Sequence, residues 1–285
     1  MAPVLEQIPL FRVVEIEMNF CGATQEKGEP TVVHKASNIN GRNPNRNAMK
    51  SLQVEPHIVT LLDGSSISPD LDLDREGFIC RHHPSAVTDF KDKQQVRDVY
   101  QKELRAFFQS LTGADIVEFP EAAGNFRSSE PQESEGGAAF MAHLDFTENG
   151  ALYAVEQELP DRTKDISRWA FIKVWRSLSP AAPVDAPLAV LDARTLMPED
   201  IFPTDVRYPH IPGVTESAAL HFNPDHRWVY FSDMKRDDVI IFKTFDSDPH
   251  KARMVGHGAF LDKTAPANAT RRSSFELRAY VAWST

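Results

Sequence analysis

The chain has 285 residues, a formal net charge of −10, 41% hydrophobic and 25% charged residues, the profile of a globular protein able to bury a sizeable core. Its acidic balance, with no basic stripe or basic–aromatic interleaving, argues against a nucleic-acid partner. No run approaches the ~20 apolar residues of a membrane span and the N-terminus lacks a signal-peptide pattern, so a soluble, cytoplasmic protein without a membrane partner is expected.

Residues 1 to about 50 carry two short apolar runs and then the polar stretch Asn38–Arg46, which reads as an extended arm or strand followed by a loop. Cys21 and Cys80, the two cysteines, make no disulfide framework and read as unpaired thiols in a reduced compartment. Val54–Leu62 reads as a strand closed by the turn residues Asp63-Gly64-Ser65-Ser66. Leu71–Cys80 is irregular, with Gly77-Phe78-Ile79 as a short strand. One clear helix follows. Asp89 or Asp92 can cap it, Val96, Tyr100, Leu104, Phe107, Phe108 and Leu111 form its apolar face, and Gly113 stops it. After Val117–Phe119, the stretch Glu121–Gly137 is rich in Glu, Ser, Gly and Pro. It is a candidate lid over a reactive centre, or a passive insertion.

From Ala138 onward the pattern is short strands with turn signals: Ala151–Glu156, Arg168–Leu178, Leu188–Asp192, Trp228–Phe231, Val239–Phe245 and Phe275–Trp283. Strands at this spacing without long helices between them predict an antiparallel sandwich or barrel. No repeat and no linker divides the chain. One domain over 1–285 is expected, with the arm, helix and lid-like loop in 1–137 and the β core in 138–285.

The chemistry centres on Ala138–Phe146, where His143 and Asp145 stand two apart in strand context. Residues i and i+2 of a strand point the same way, so an imidazole and a carboxylate converge on one point. That is two-thirds of the 2-His-1-carboxylate facial triad of non-haem Fe(II) oxygenases. A third ligand would come from His210, His221, His226, His250 or His257. His221 and His226 flank the turn Asn223-Pro224-Asp225, and His210 and His250 adjoin prolines. His257 lies between Gly256 and Gly258, which allow close backbone approach. Local pattern alone leaves His257 balanced against the other four together. A facial-triad oxygenase using 2-oxoglutarate also needs a cation for the distal carboxylate, and arginine binds carboxylate through a planar fork. In Arg271-Arg272-Ser273-Ser274, both Arg271 with Ser273 and Arg272 with Ser274 have the required i, i+2 relation; the alternative is a solvated basic turn.

Several longer segments carry a resemblance: Asp74-Arg-Glu-Gly-Phe, His83-Pro-Ser-Ala-Val-Thr-Asp-Phe, Leu111-Thr-Gly-Ala-Asp, Val174-Trp-Arg-Ser-Leu, Pro187-Leu-Ala-Val-Leu-Asp-Ala-Arg, Asn223-Pro-Asp-His-Arg-Trp-Val-Tyr-Phe-Ser-Asp-Met, Phe242-Lys-Thr-Phe-Asp-Ser and Arg272-Ser-Ser-Phe-Glu-Leu-Arg. From about Asn19 to Ala282 the chain resembles the Fe(II)/2-oxoglutarate-dependent oxygenases that include fungal gibberellin desaturase, the protein of cephamycin 7-methoxylation and the aspergillic-acid hydroxylase. The resemblance implies a mainly β fold with flanking helices around a double-stranded β-helix (jelly-roll) core. It implies iron at His143, Asp145 and His257, the last matching the distal His before the family's Ala-Phe pair. Arg272, 15 positions later, matches the Arg of the family's Arg-x-Ser motif, with Ser274 as its partner. Trp175 and Arg176 fall in the family's Val-Trp-Arg segment on a barrel strand.

Two departures stand out. Phe119-Pro-Glu-Ala-Ala-Gly-Asn-Phe-Arg replaces a stretch with paired arginines, leaving Arg127, with Phe126, as the candidate substrate contacts there. Gly256 stands where the family often has Pro. The implied cofactors are Fe(II), 2-oxoglutarate and O₂, with ascorbate helpful in assays. The implied activity is hydroxylation, desaturation or oxidative cyclisation of a small molecule in secondary metabolite biosynthesis. Two alternatives are a jelly-roll metal-dependent hydrolase or isomerase working without 2-oxoglutarate, and a non-catalytic jelly-roll binding module. Neither needs a buried carboxylate anchor.

Overall fold

The run Ala170–Trp175 is apolar except for Lys173, the mark of a strand covered on both faces. In the computed structural model, which describes residues 12–23, 32–34, 52–120, 124–130, 136–159, 165–182, 184–207 and 215–285, it lies in β9 (Ile166–Ser177), and every residue from Ala170 to Ser177 is buried. β9 pairs antiparallel along its length with the last strand, β16 (Ser273–Ser284). Around them β4 (Phe78–His82), β14 (Asp238–Asp246), β6 (Gly124–Ser128) and β7 (Gly136–Gly137) complete the order β4-β14-β9-β16-β6-β7, with β5 (Ile116–Glu118) also on β16.

A second sheet of nine strands faces this one. It runs β1 (Val13–Cys21), β3 (Val54–Asp63), β13 (Trp228–Tyr230), β10 (Leu188–Leu191), β15 (His257–Ala259), β8 (His143–Leu144), β12 (Thr215–Leu220), β11 (Ile201–Arg207), β2 (Val32–His34). Its outer strands alternate cleanly. In β1 Ile16, Met18 and Phe20 are buried while Glu15 and Glu17 are exposed. Val190 and Val229 of this sheet share a core with Trp175, Ile240 and Phe242 of the other. The fold is a double-stranded β-helix, mainly β with two long helices outside it.

The outer face of the seven-stranded sheet is covered by α1, which runs from Lys93 to Thr112 and contains a π-turn at Val96–Tyr100. The Asp92 carboxylate accepts from the Gln94 and Gln95 amides, and Gly113 ends the helix at φ 68°, as the sequence predicts. Val96, Tyr100, Leu104 and Phe108 join the core with Phe275, Leu277 and Val281. Phe108 is fully buried there, so Phe108→Ala is expected to cost about 3–5 kcal/mol, read as a lowered urea midpoint with an unchanged slope.

Two expectations change. Ala151–Glu156 is helical, part of α2 (Glu148–Glu158), and so this is a second helix. The Thr147 hydroxyl accepts from the Gly150 amide at its start, and Ala151, Ala154 and Val155 recur at helical spacing on its buried face. Gly150 is required by close approach, since a Cβ there would sit 1.8 Å from the Glu216 carbonyl oxygen. β11 and β12 also form where no strand is expected; Pro203 and the alanines of β12 weaken their pattern. The apolar arm before Cys21 is an ordered strand, while the loop Asn38–Arg46 lies outside the described residues, as do 121–123 and 131–135 of the lid-like stretch. Cys21 and Cys80 are free, their thiols pushed up to about 11 and about 12, in both cases chiefly by burial.

Candidate active site

His143 in β8 and His257 in β15 are direct register partners, so their side chains share a face. Val190 pairs with His257 and lies in the core between the sheets, so that face points inward. Gly258 permits the close approach, because a Cβ there would meet the Met141 carbonyl oxygen at 3.1 Å. Asp145 follows His143 by two residues and is buried with His257. The three ligand atoms lie within 4.8 Å of one another, a spacing able to hold a metal ion.

The donor set fits a metal in its finer detail. His143 Nδ1 lies 2.8 Å from the Met141 carbonyl and His257 Nδ1 lies 3.1 Å from the Val255 carbonyl. A carbonyl only accepts, so both protons sit on Nδ1 and both Nε2 lone pairs face the cluster. Asp145 Oδ1 stands 3.9 Å and 3.7 Å from the two Nε2 atoms. Burial pushes the His257 imidazole below its ordinary value against the pull of Asp145, which keeps it neutral, the form that binds metal. The other described candidates from the sequence are engaged elsewhere or exposed. His221 Nδ1 is 3.1 Å from the Cys21 carbonyl, His226 Nε2 is 2.9 Å from Asp200, and His250 is exposed. His210 lies outside the described residues.

The opposing wall comes from the seven-stranded sheet. Strand parity puts Lys173, Trp175 and Ser177 on the inner face of β9. The pairs Ser177↔Ser274, Trp175↔Glu276 and Arg127↔Ser274 bring Ser274, Glu276 and Arg127 onto the same face. Arg272, 4% exposed, lies at the start of β16 with its guanidinium carbon 5.2 Å from the Trp175 ring centroid. Its Nε donates to Ser274 Oγ at 3.1 Å and its Nη1 to the Ala186 carbonyl at 3.2 Å. Among the described residues no carboxylate pairs with it, and burial pulls it down to about 10. The buried Trp175 Nε1 likewise has no hydrogen-bond partner among them. Arg271 is two-thirds exposed and pairs with Glu130 and Asp185 at 3.0 Å.

Parity separates the remaining sequence candidates. Phe126 pairs in register with Phe275 on the helix-side face, with Lys91 Nζ 4.6 Å from its ring. Arg176 is buried on that face too, donating to Tyr100 Oη, the Arg236 carbonyl and His83. The structure therefore groups Trp175 and Arg127 with the inner wall, and does not bring Phe126 or Arg176 there.

Two inner residues escaped the sequence reading. Lys173 Nζ lies 2.5 Å from Asp145 Oδ2 and 3.7 Å from Glu276 Oε2, and Glu276 Oε1 accepts from Arg127 Nε and Nη2 at 3.1 and 2.9 Å. Burial alone would push Lys173 down, but the charges of Asp145 and Glu276 outweigh it and hold the ammonium above its ordinary value. Burial likewise works against Glu276, which Lys173 and Arg127 bring down to about 2. A lysine inside Phe171-Ile172-Lys173-Val174-Trp175 is itself a signal, since a charge in a two-sided apolar strand needs a buried partner.

A jelly roll with two imidazoles and a carboxylate converging at its interior, opposite an arginine without an anionic partner, defines a mononuclear metalloenzyme site. Residues 18–282 match the family model described as Oxidoreductase/YMDC permease-like domain, and the chain belongs to that family. Among curated relatives, the hydroxylase/desaturase CTB9 of Cercospora beticola is 28% identical over 239 residues, 75% of this chain and 72% of that protein. The Fe(II)/2-oxoglutarate-dependent dioxygenase nvfI of Aspergillus novofumigatus is 28% identical over 235 residues, 79% of this chain and 83% of that one. A solved structure of the iron and alpha-ketoglutarate-dependent endoperoxidase NvfI superposes with TM-score 0.77 at 25% identity, covering 96% of this chain and 98% of that one.

Proposed function

We propose that His143, Asp145 and His257 hold Fe(II), and that Arg272, with Ser274 and the Trp175 indole N–H, receives the distal carboxylate of 2-oxoglutarate. The protein is an Fe(II)/2-oxoglutarate-dependent dioxygenase acting on a small molecule. The observation that carries the co-substrate assignment is Arg272: a fully buried guanidinium with no carboxylate partner among the described residues costs free energy until an anion arrives. The ion, Asp145, Arg272 and a dianionic 2-oxoglutarate sum to zero charge. Lys173 contacts Asp145, and Trp175, two strand residues along at about 6.6–6.8 Å, contacts Arg272.

Bound Fe(II) supplies the redox chemistry, coupling O₂ reduction to decarboxylation of 2-oxoglutarate to succinate and CO₂ while the substrate is oxidised. The chain's own residues orient and exclude. The two Nδ1–H donors fix the imidazoles, Arg272 and Ser274 set the direction of the co-substrate, and the apolar core of Val190, Ile240 and Phe242 keeps water from the buried side. A hydrolase or a binding module on the same scaffold has no use for the buried arginine.

Within the class, the chain's proposed kinship is with gibberellin desaturase, the cephamycin 7-methoxylation protein and the aspergillic-acid hydroxylase, a reading supported by the segments the chain resembles. Its reaction is hydroxylation, desaturation or oxidative cyclisation in fungal secondary metabolism, carried out in the cytoplasm. No helix among the described residues is long and apolar enough to cross a membrane. The test is succinate release by purified protein with Fe(II) and ascorbate. Release that requires 2-oxoglutarate and O₂ supports the reading, and no 2-oxoglutarate turnover under any metal contradicts it.

A further inference from the structure

A carboxylate has two nearly equivalent oxygens and can give a metal one or both. A facial triad works only if it gives one, because the remaining positions must stay open. In this chain the two oxygens of Asp145 are already distinguished. Oδ1 faces the Nε2 atoms of His143 and His257, and Oδ2 is held by Lys173 Nζ at 2.5 Å.

Lysine is a poor fixed point by itself, since its ammonium rides on a flexible four-carbon stem. Here it is restrained. Its backbone is in the central strand β9, its head is buried, and a second carboxylate, Glu276, has Oε2 3.7 Å away. Glu276 is in turn gripped through Oε1 by two nitrogens of Arg127, which also donates to the Gly137 carbonyl at 3.4 Å. The order Asp145, Lys173, Glu276, Arg127 alternates in sign, so each inner member has an opposite charge on either side. Its outer end, Arg127, is the more exposed member, with 21% of its side chain accessible. Gly137 lies six residues before His143 in sequence, so the chain of charges returns to the segment that supplies two of the three ligands.

Resting on the metal assignment above, we propose that Lys173 is a positioning residue that holds Asp145 as a one-oxygen ligand, and that Glu276 and Arg127 hold Lys173 in place for that task. A purely structural ion pair would behave otherwise. Replacing such a pair's cation by an apolar side chain of similar length would change folding stability without changing the coordination number of the ion.

The experiment titrates Co(II) into the purified full chain and follows both affinity and the visible ligand-field spectrum, with wild type and His257→Ala alongside. Lys173→Met is expected to weaken Co(II) binding about 10–100-fold and to shift the spectrum toward higher coordination as Asp145 Oδ2 is released. Lys173→Arg, which keeps a donor for Oδ2, should recover most of the affinity and the wild-type spectrum. Glu276→Gln keeps the Asp145–Lys173 contact and tests the outer half even if Lys173→Met does not fold. It should weaken binding less than Lys173→Met does and broaden the spectrum. Wild-type affinity and spectrum in Lys173→Met, or a Lys173→Arg protein as weak as Lys173→Met, overturns the role of Lys173. A Glu276→Gln protein indistinguishable from wild type overturns the outer half. Failure of the metal assignment itself looks different: wild type would not bind Co(II), or His257→Ala would bind it equally well.

Discussion

Replacing His257 with Ala is expected to abolish succinate formation and to leave the ion weakly held, while the chain stays folded. Fold survival follows from where the residue sits. β15 is a three-residue strand, and its neighbours β10 and β8 are joined to the rest of the sheet by β13 and β12. The imidazole makes one protein hydrogen bond, to the Val255 carbonyl, and its loss leaves a cavity against Phe242, whose ring lies 4.7 Å away. Metal binding has no such reserve, because Nε2 is one of the three donors that lie together, and His221 and His226 are paired elsewhere. Asp145→Ala is expected to be as inactive, and to leave Lys173 facing only Glu276. Full activity in His257→Ala, or a loss confined to His221→Ala or His226→Ala, would remove His257 from the site.

Arg272→Gln is expected to raise the 2-oxoglutarate requirement by about 1.5–3.5 decades, the equivalent of the roughly 2–5 kcal/mol lost when one partner of a buried charge pair is removed. The oxidised substrate's KM should change far less. The effect is specific because the guanidinium is fully buried, oriented by Ser274 and stacked over Trp175. Its sequence neighbour provides the control. Arg271 is solvated and tied to Glu130 and Asp185, so Arg271→Gln should leave the 2-oxoglutarate requirement close to wild type. A larger 2-oxoglutarate defect in Arg271→Gln would place the anchor one residue earlier.

Strand periodicity made much of this site legible in the sequence. His143 and Asp145 stand two apart and converge, although the strand covers only His143–Leu144 and Asp145 lies in the bend after it. Periodicity leaves Arg271 and Arg272 equal, and only the resemblance prefers Arg272. The capped helix ending at Gly113 and the strands around Trp175, Val190 and Phe242 were equally open to pattern. What the pattern could not carry is which face of a strand meets the metal. The pairs Phe126–Arg127 and Trp175–Arg176 each send one residue inward and one to the helix side, and only the register with β16 decides which. Lys173 and Glu276 were missed for a related reason. Their meeting depends on β9 pairing with β16 across about a hundred residues, a contact with no local trace beyond a charge standing in an apolar run. α2 was misread because Ala151–Glu156 is short and apolar. Its helical state rests on the Thr147 cap and on packing against Phe171, Phe245 and Tyr280, which lie far along the chain.

The most direct test of the account is anaerobic calorimetric titration of 2-oxoglutarate into the protein with and without Mn(II), for wild type and Arg272→Gln. The triad and the buried arginine together require binding of one 2-oxoglutarate per chain that depends on the metal and weakens by decades in Arg272→Gln. Metal-independent binding, or binding of equal strength in wild type and Arg272→Gln, would contradict it.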